Sequence, residues 1–399
     1  MTPRNGGVDS EPPDMSRSRR IMIVAGEASG DIYGADLVQK ALSLDAGLHF
    51  FGIGGSRMRE AGVTTLINSD DIAVMGLVEV FKHFSVISAA FLTLKKLLQN
   101  NPPELLILID YPGFNIRLAK VAKKAGVKVL YYISPKVWAW KAGRIKKIAA
   151  AVNRMAVIFP FEVPLYEKAG VPVSFVGHPM LDLVNVVVSR EEAAAAFGLD
   201  PSRKTIGLFP GSRRSEIERI LPAILAAAEL LQRRFPGLQF VMPLASTLSP
   251  EDLRPHLDGI GITPLITTAR IHDLIRGCDA IISVSGTVTL EIALVGTPMV
   301  IIYKLAPLTY QVARRVVKIP HIGLCNIVAG RSLVKELIQE QASPEAIADE
   351  ITTILSNEPY RAKMCAELAS IREKLGGGGA ALRTASLALD LINEKQDRL

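Results

Sequence analysis

One alternation runs twice through this chain: short uninterrupted apolar runs, rich in β-branched and aromatic residues, separated for the most part by stretches with helical spacing. The first round has the runs IMIVA (21–25), HFFGI (49–53), LLILID (105–110), VKVLYYI (127–133), RMAVIF (154–159) and VSFVG (173–177), with helical stretches such as 30–42, 80–99, 114–125 and 141–150. The rhythm pauses at GHPMLD (177–182) and passes through the helix-like SREEAAAAFGL (189–199). It resumes with TIGLFP (205–210), LQFVMPL (238–244), TPLIT (263–267), AIISVS (280–285) and PMVIIYK (298–304). Strands that are apolar on both sides need cover on both faces, and helical crossovers supply it in a parallel sheet. The pattern predicts an α/β protein: two doubly wound, Rossmann-like domains facing a cleft, with a helical tail from about residue 344. The boundaries read as a disordered extension over 1–19, an N-terminal domain over 20–180 and a C-terminal domain over 181–375. A last helix over 376–399, entered through GGGG (376–379), is expected to pack back on the N-terminal domain or on a second subunit of a homodimer.

Composition narrows the class. Apolar residues make up 49% of the 399, ample for two cores, and the net charge of +7 attracts phosphates or an anionic membrane surface. The basic residues are spread along the chain without a nucleic-acid motif, so no nucleic-acid partner is expected. Three scattered cysteines (Cys278, Cys325, Cys365) suggest neither a disulfide framework nor a metal site, and point to a reducing compartment. The first twenty residues lack the apolar core of a signal peptide, and Arg17, Arg19 and Arg20 read as a solvated edge or an interaction arm. The greasiest region, 72–94, contains Glu79, Lys82 and His83, which argues against a spanning helix and leaves core packing or a membrane-facing surface.

Ligands of doubly wound sheets sit beyond the carboxyl ends of the strands, so chemistry is sought in the turns that follow the apolar runs. IMIVAGEASGDIYG (21–34) has the grammar of a phosphate-binding turn, yet carries neither G-x-G-x-x-G nor G-x-x-x-x-G-K-[ST]. Its candidates are Gly26, Glu27, Ser29, Gly30 and Asp31, the last also a candidate cap of its own helix. Asp110 ends LLILID, where desolvation should raise its pKa and suit it to take a proton from an alcohol. The alternative is a cap for a helix starting at Phe114 and Asn115. In FPGSRRSEIE, Ser212 reads as a helix cap beside Arg213, an arrangement able to hold an oxyanion, or simply a capped helix with solvated arginines. SVSGTVTLE offers Ser285 and Thr287 hydroxyls, backbone approach at Gly286, and Glu291 one turn along, suited to a ribose diol. Both tryptophans, Trp138 and Trp140, stand in SPKVWAWK near Lys136, Lys141 and Arg144; they stack on a sugar or base, line an acyl entrance, or form a packed pair. No D-x-D, H-E-x-x-H or G-x-S-x-G is present, so no metal ligands and no cofactor are assigned, and the six histidines read as structural.

These stretches, in order, resemble the lipid-A-disaccharide synthase family, glycosyltransferases of the two-domain GT-B architecture. The resemblance rests on AGEASGD (25–31), GIGGSRM (52–58), VMGLVEV (74–80), SPKVWAWK (134–141), FPFE (159–162), GHPMLD (177–182), PGSRRSEI (210–217), SGTVTLE (285–291) and CNIVAGR (325–331). It implies an inverting transfer that joins UDP-2,3-diacylglucosamine to 2,3-diacylglucosamine 1-phosphate (lipid X) by a β-1,6 bond, on the cytoplasmic face of the inner membrane. By the same resemblance Asp110 is the general base, and Arg213 and Asn326 match positions important for activity. Ser285, Gly286, Thr287 and Glu291 match a sugar-nucleotide loop, while the turn after the first strand faces the acceptor. Many relatives carry a second aspartate where this chain has Gly113, which leaves Asp110 as the carboxylate of its loop. Acylated substrates give the greasy region a purpose, with Leu77, Val80, Phe81 and Phe84 expected at the membrane. The nearest alternative is another UDP-sugar enzyme of this fold, such as a UDP-N-acetylglucosamine epimerase.

Overall fold

The computed structural model describes residues 19–72, 84–138, 143–245, 247–316 and 319–394. The N-terminal half contributes strands β1 (Arg19–Ala25), β2 (Leu48–Gly54), β3 (Thr64–Asn68), β4 (Leu105–Ile109), β5 (Lys128–Tyr132), β6 (Arg154–Val157) and β7 (Val173–Phe175). The C-terminal half contributes β8 (Thr205–Phe209), β9 (Gln239–Pro243), β10 (Leu265–Thr267), β11 (Ala280–Val284), β12 (Met299–Tyr303) and β13 (Glu336–Ile338). Every pairing is parallel, in the orders β3-β2-β1-β4-β5-β6-β7 and β10-β9-β8-β11-β12-β13. The α/β, doubly wound reading holds for both halves. Strands β4, β8 and β11 are buried at every position, as sheets with helices on both faces demand.

Two strands escaped the sequence pattern, β3 and β13. Thr64–Asn68 is an edge strand without a continuous apolar run, and Glu336–Ile338 is only three residues long. Both exist because a neighbouring strand offers an open edge, which local pattern does not encode. Arg19, counted with the extension, already pairs with Leu48 in β1; residues 1–18 lie outside the described residues. Arg19 reaches Asp45 and Asn393, and Arg20 lies over the Phe51 ring and meets Asn101, so these two arginines have partners within the fold.

The glycines of GIGGSRM (52–58) have a structural role that also removes Asp31 from the ligand-facing groups. The Asp31 carboxylate is buried and accepts from the N–H groups of Gly55 (2.6 Å), Arg57 (3.0 Å) and Met58 (3.1 Å). It caps the helix Ser56–Glu60 rather than its own helix, and a Cβ at Gly55 would intrude on that carboxylate. At the other end of the chain, Asp182 of GHPMLD accepts from Gly379 N–H at 2.8 and 2.9 Å and pins the glycine stretch. The helix Ala380–Asn393 that follows packs against the helix Ala28–Leu44 and against β4 and β5 of the first sheet. Arg383 donates to the Val176 carbonyl at 2.8 Å, and Lys128 donates to that of Leu391 at 2.8 Å.

Replacing Asp31 with alanine strands three N–H groups at a buried helix start. We expect a loss of about 2–4 kcal/mol in urea denaturation, the cost of losing charge-assisted bonds and orphaning their donors.

Candidate active site between the two sheets

Each sheet reverses its strand order once, between β1 and β4 and between β8 and β11. A crevice opens beyond the carboxyl ends of the strands at such points, because the crossovers on either side leave in opposite directions. Four of the five stretches singled out in the sequence are the turns at these two reversals, and the fifth, SPKVWAWK, follows β5. Gly26 and Glu27 follow β1, Asp110 and Tyr111 follow β4, Pro210–Arg213 follow β8, and Ser285–Thr287 follow β11. A cavity of about 660 Å³ joins the two halves: Lys136 and Trp138 wall it from the first, and Gly211–Arg213, Ser285–Val288, Glu291 and Tyr303 are among its residues from the second.

Asp110 sits in unusual backbone. It and Tyr111 both take left-handed conformations (φ 41° and 47°), and the helix Pro112–Lys124 begins without a side-chain cap. Asp110 therefore does not cap that helix, which starts at Pro112 rather than at Phe114. Burial first, and then the Glu27 charge, push the Asp110 pKa up to about 7, while Lys136, a bond from Tyr111 N–H and Arg144 pull it down. Glu27 is also raised, by burial, against the Lys136 and Arg213 charges. The Glu27 carboxylate of the N-terminal half thus feels a cation of the C-terminal half, Arg213.

Several other candidates have roles in holding the turns. Asn115 is buried and donates its amide to the carbonyls of Ile109 (3.1 Å) and Asp110 (2.8 Å), so it faces the Asp110 turn, not a ligand. Gly26 leaves room for the Tyr111 ring, and Gly30 packs on Ala25; Ser29 is exposed. Ser212 is not a cap: the helix Arg214–Arg234 has Arg213 at that position. Glu216 reaches back instead, accepting from Ser212 N–H (3.2 Å) and Arg213 Nη1 (3.0 Å) beneath the left-handed Gly211. Ser285 Oγ donates to the Ile322 carbonyl (2.8 Å), tying its turn to the opposite wall. At Gly286 a Cβ would meet no atom of the described residues within 4 Å, and Gly286 and Thr287 are exposed at the head of the helix Val288–Val295, where Thr289 and Leu290 N–H donate to the Gly286 and Thr287 carbonyls (3.2 and 2.9 Å). Asn326 is fully buried, donating to Val334 O and Glu336 and accepting from Leu333 and Val334 N–H, so it braces the wall and does not touch the cavity.

The sequence model of the lipid-A-disaccharide synthetase family matches residues 21–386. The chain belongs to the lipid-A-disaccharide synthase family. The lipid-A-disaccharide synthase of Trichlorobacter lovleyi is 65% identical over 95% of this chain and 99% of its own length, and that of Geobacter metallireducens is 59% identical over 95% and 99%. The chain is accordingly a glycosyltransferase of lipid A biosynthesis. Among solved structures it is similar to the UDP complex of S. aureus MnaA (TM-score 0.66, 14% identity, 94% and 98% covered). It also resembles the calicheamicin glycosyltransferase CalG4 (TM-score 0.59, 14% identity, 94% and 99% covered). Those likenesses bear on the fold, and the architecture is GT-B-like.

Three family motifs meet at Trp138. Its indole N–H donates to Glu162 of FPFE (3.1 Å), a buried carboxyl raised by burial to about 7 that also accepts from Phe159 N–H. The Trp138 ring meets Phe161 edge-on (5.3 Å), Phe161 stacks on Phe159 (5.2 Å), and Phe159 lies 5.2 Å from His178 of GHPMLD, whose pKa burial lowers to about 3. Trp138 is thus both packed and a cavity wall. Trp140, Leu77, Val80 and Phe81 lie outside the described residues, and Phe84 is described only as the start of the helix Phe84–Asn100.

Sequence reasoning passed over Glu162, Glu336 and His272. Glu336 accepts from Ile322 N–H (2.9 Å), Gly323 N–H (3.0 Å) and Asn326, and His272 Nε2 lies 3.1 Å from Glu291 Oε2. The glutamate inside FPFE was a signal in hand; His272 and Glu336 stand in stretches with no distinguishing spacing.

The raised pKa of Asp110 has a consequence for stability. Its carboxyl ionises near 4 when unfolded and near 7 when folded, so between those values the native state holds the extra proton and stability falls as pH rises. Asp110→Asn removes that penalty. We expect the variant to melt above the parent at pH 8, with the gain shrinking toward zero as pH is lowered to 4.

Proposed function

We propose that the chain transfers 2,3-diacylglucosamine from its UDP derivative to the 6-hydroxyl of lipid X, with inversion, releasing UDP and the β-1,6 disaccharide 1-phosphate. The observation that carries this is Asp110: a carboxyl raised to about 7, at the end of β4, under the charge of Lys136, which lines the cavity beside a nucleotide-type turn. In this reading an Asp110 oxygen takes the proton of the acceptor's 6-hydroxyl as that oxygen bonds to C1 of the donor sugar. The C1–O bond to the diphosphate breaks, and its electron pair goes to the β-phosphate of UDP. Arg213 and the N–H groups at the head of the helix Val288–Val295 stabilise the charge that grows there, a service worth about 3 kcal/mol per well-placed donor. Glu291, braced by His272, receives the ribose hydroxyls. Trp138 and Lys136 close the cavity from the acceptor side.

Both substrates carry acyl chains, so the reaction belongs at the inner-membrane surface, met from the cytoplasm. No helix among the described residues is long and apolar enough to cross a membrane. The exposed Leu66, on β3, and Val86 and Leu92, on the helix Phe84–Asn100, stand near 73–83 in the chain and support the reading of Leu77, Val80, Phe81 and Phe84 as membrane contacts. Changing Leu77, Val80 and Phe81 together to serine is expected to move the protein from the membrane pellet to the soluble fraction; an unchanged partition refutes the contact.

The reaction is tested by UDP release with the two acylated glucosamine substrates. Conversion of water-soluble UDP-N-acetylglucosamine in their place would mark an epimerase instead. Asp110→Asn should cut turnover by about 10²–10⁴-fold while UDP still binds. The parental kcat should rise with pH to a plateau above about 7, because only the ionised carboxylate accepts the proton.

A further inference from the structure

We propose that Asn115 and Tyr131 are positioning residues for this transfer, acting together to hold the left-handed turn that presents the Asp110 carboxylate. The proposal rests on the reading of Asp110 as the base. Two consecutive non-glycine residues in the left-handed region persist only where their surroundings over-determine them, and such backbone gathers at functional sites. Here the surroundings are explicit. Asp110 N–H donates to the Tyr132 carbonyl (3.1 Å), and the Asp110 carbonyl accepts from Tyr131 Oη (2.6 Å) and from Asn115 Nδ2 (2.8 Å). The same Asn115 amide also donates to the Ile109 carbonyl (3.1 Å). Tyr111, the second left-handed residue, lies with its ring against Gly26 and its hydroxyl on the Ile72 carbonyl (2.8 Å).

Asn115 and Tyr131 are fully buried, so neither side chain touches a ligand; their bonds end on the peptide that carries the carboxylate. Among the described residues nothing donates to the Asn115 amide oxygen. A buried polar atom left unsatisfied is a cost, and leucine fits the same space without it. What the asparagine supplies is the paired donation to two successive carbonyls that fixes the turn.

The test compares Tyr131→Phe and Asn115→Leu, each in the parental and the Asp110→Asn backgrounds, with UDP release as the rate assay and calorimetry for UDP binding. In the parental background we expect kcat to fall by about tenfold to a hundredfold, with donor and acceptor KM and the Kd of UDP within about twofold. In the Asp110→Asn background the residual rate should not fall further, because both residues act through the carboxylate already removed. Parental kcat in both variants overturns the proposal, as does an equal fractional loss in the two backgrounds. Parental turnover by Asp110→Asn itself brings down the base reading, and this proposal with it.

Discussion

Parallel pairing across the two points of strand reversal is the constraint on which the rest of the molecule depends. Ala25 pairs with Ile109 in the first sheet, and Ser283 with Phe209 in the second. These registers bring the turns after β1 and β4 side by side, and likewise those after β8 and β11. Helices cover both faces of each sheet, so polar chemistry is left to the strand ends. The cavity lies where those ends of the two halves look at each other.

Turns that leave a strand and enter a helix expose N–H groups that no ladder satisfies, and this protein answers with carboxylates. Asp31 collects three N–H groups, Glu336 two, and Asp182, Glu162 and Glu216 one each. Charged acceptors bind backbone donors more strongly than neutral ones, and hold a turn without a long segment of regular structure. These carboxylates brace backbone, whereas the Asp110 carboxyl, which accepts a bond from Tyr111 N–H, is pushed up to about 7 by desolvation and by the Glu27 charge.

Much of this was legible beforehand, for identifiable reasons. The continuous apolar runs disclosed the parallel sheets because burial on both faces leaves no alternative pattern. The turns at 26–31, 110–115, 210–213 and 285–291 were legible because a small-residue loop after an apolar strand marks a strand end. Within those turns, roles were read less well. Asp31, Asn115 and Asn326 look like ligand-facing polar groups in one dimension, and each proves to be engaged with backbone. The chemistry of a polar side chain is set by which backbone group lies within 3 Å of it, and that neighbour can be far away in sequence: 24 positions separate Asp31 from Gly55.

The sequence by itself determined the class of fold, the position of the candidate turns and, through nine motifs in order, the family. Hydrophobic periodicity and local turn chemistry are properties of neighbouring residues, so they survive in a linear text. Only the tertiary structure decided that Trp138, Glu162 and His178 form one assembly, and that Glu336 holds the wall opposite Ser285. It alone decided that Asp110 stands on a strained turn gripped by Tyr131 from the next strand. Those facts depend on register and desolvation across packed elements, and neither exists until the chain has closed on itself.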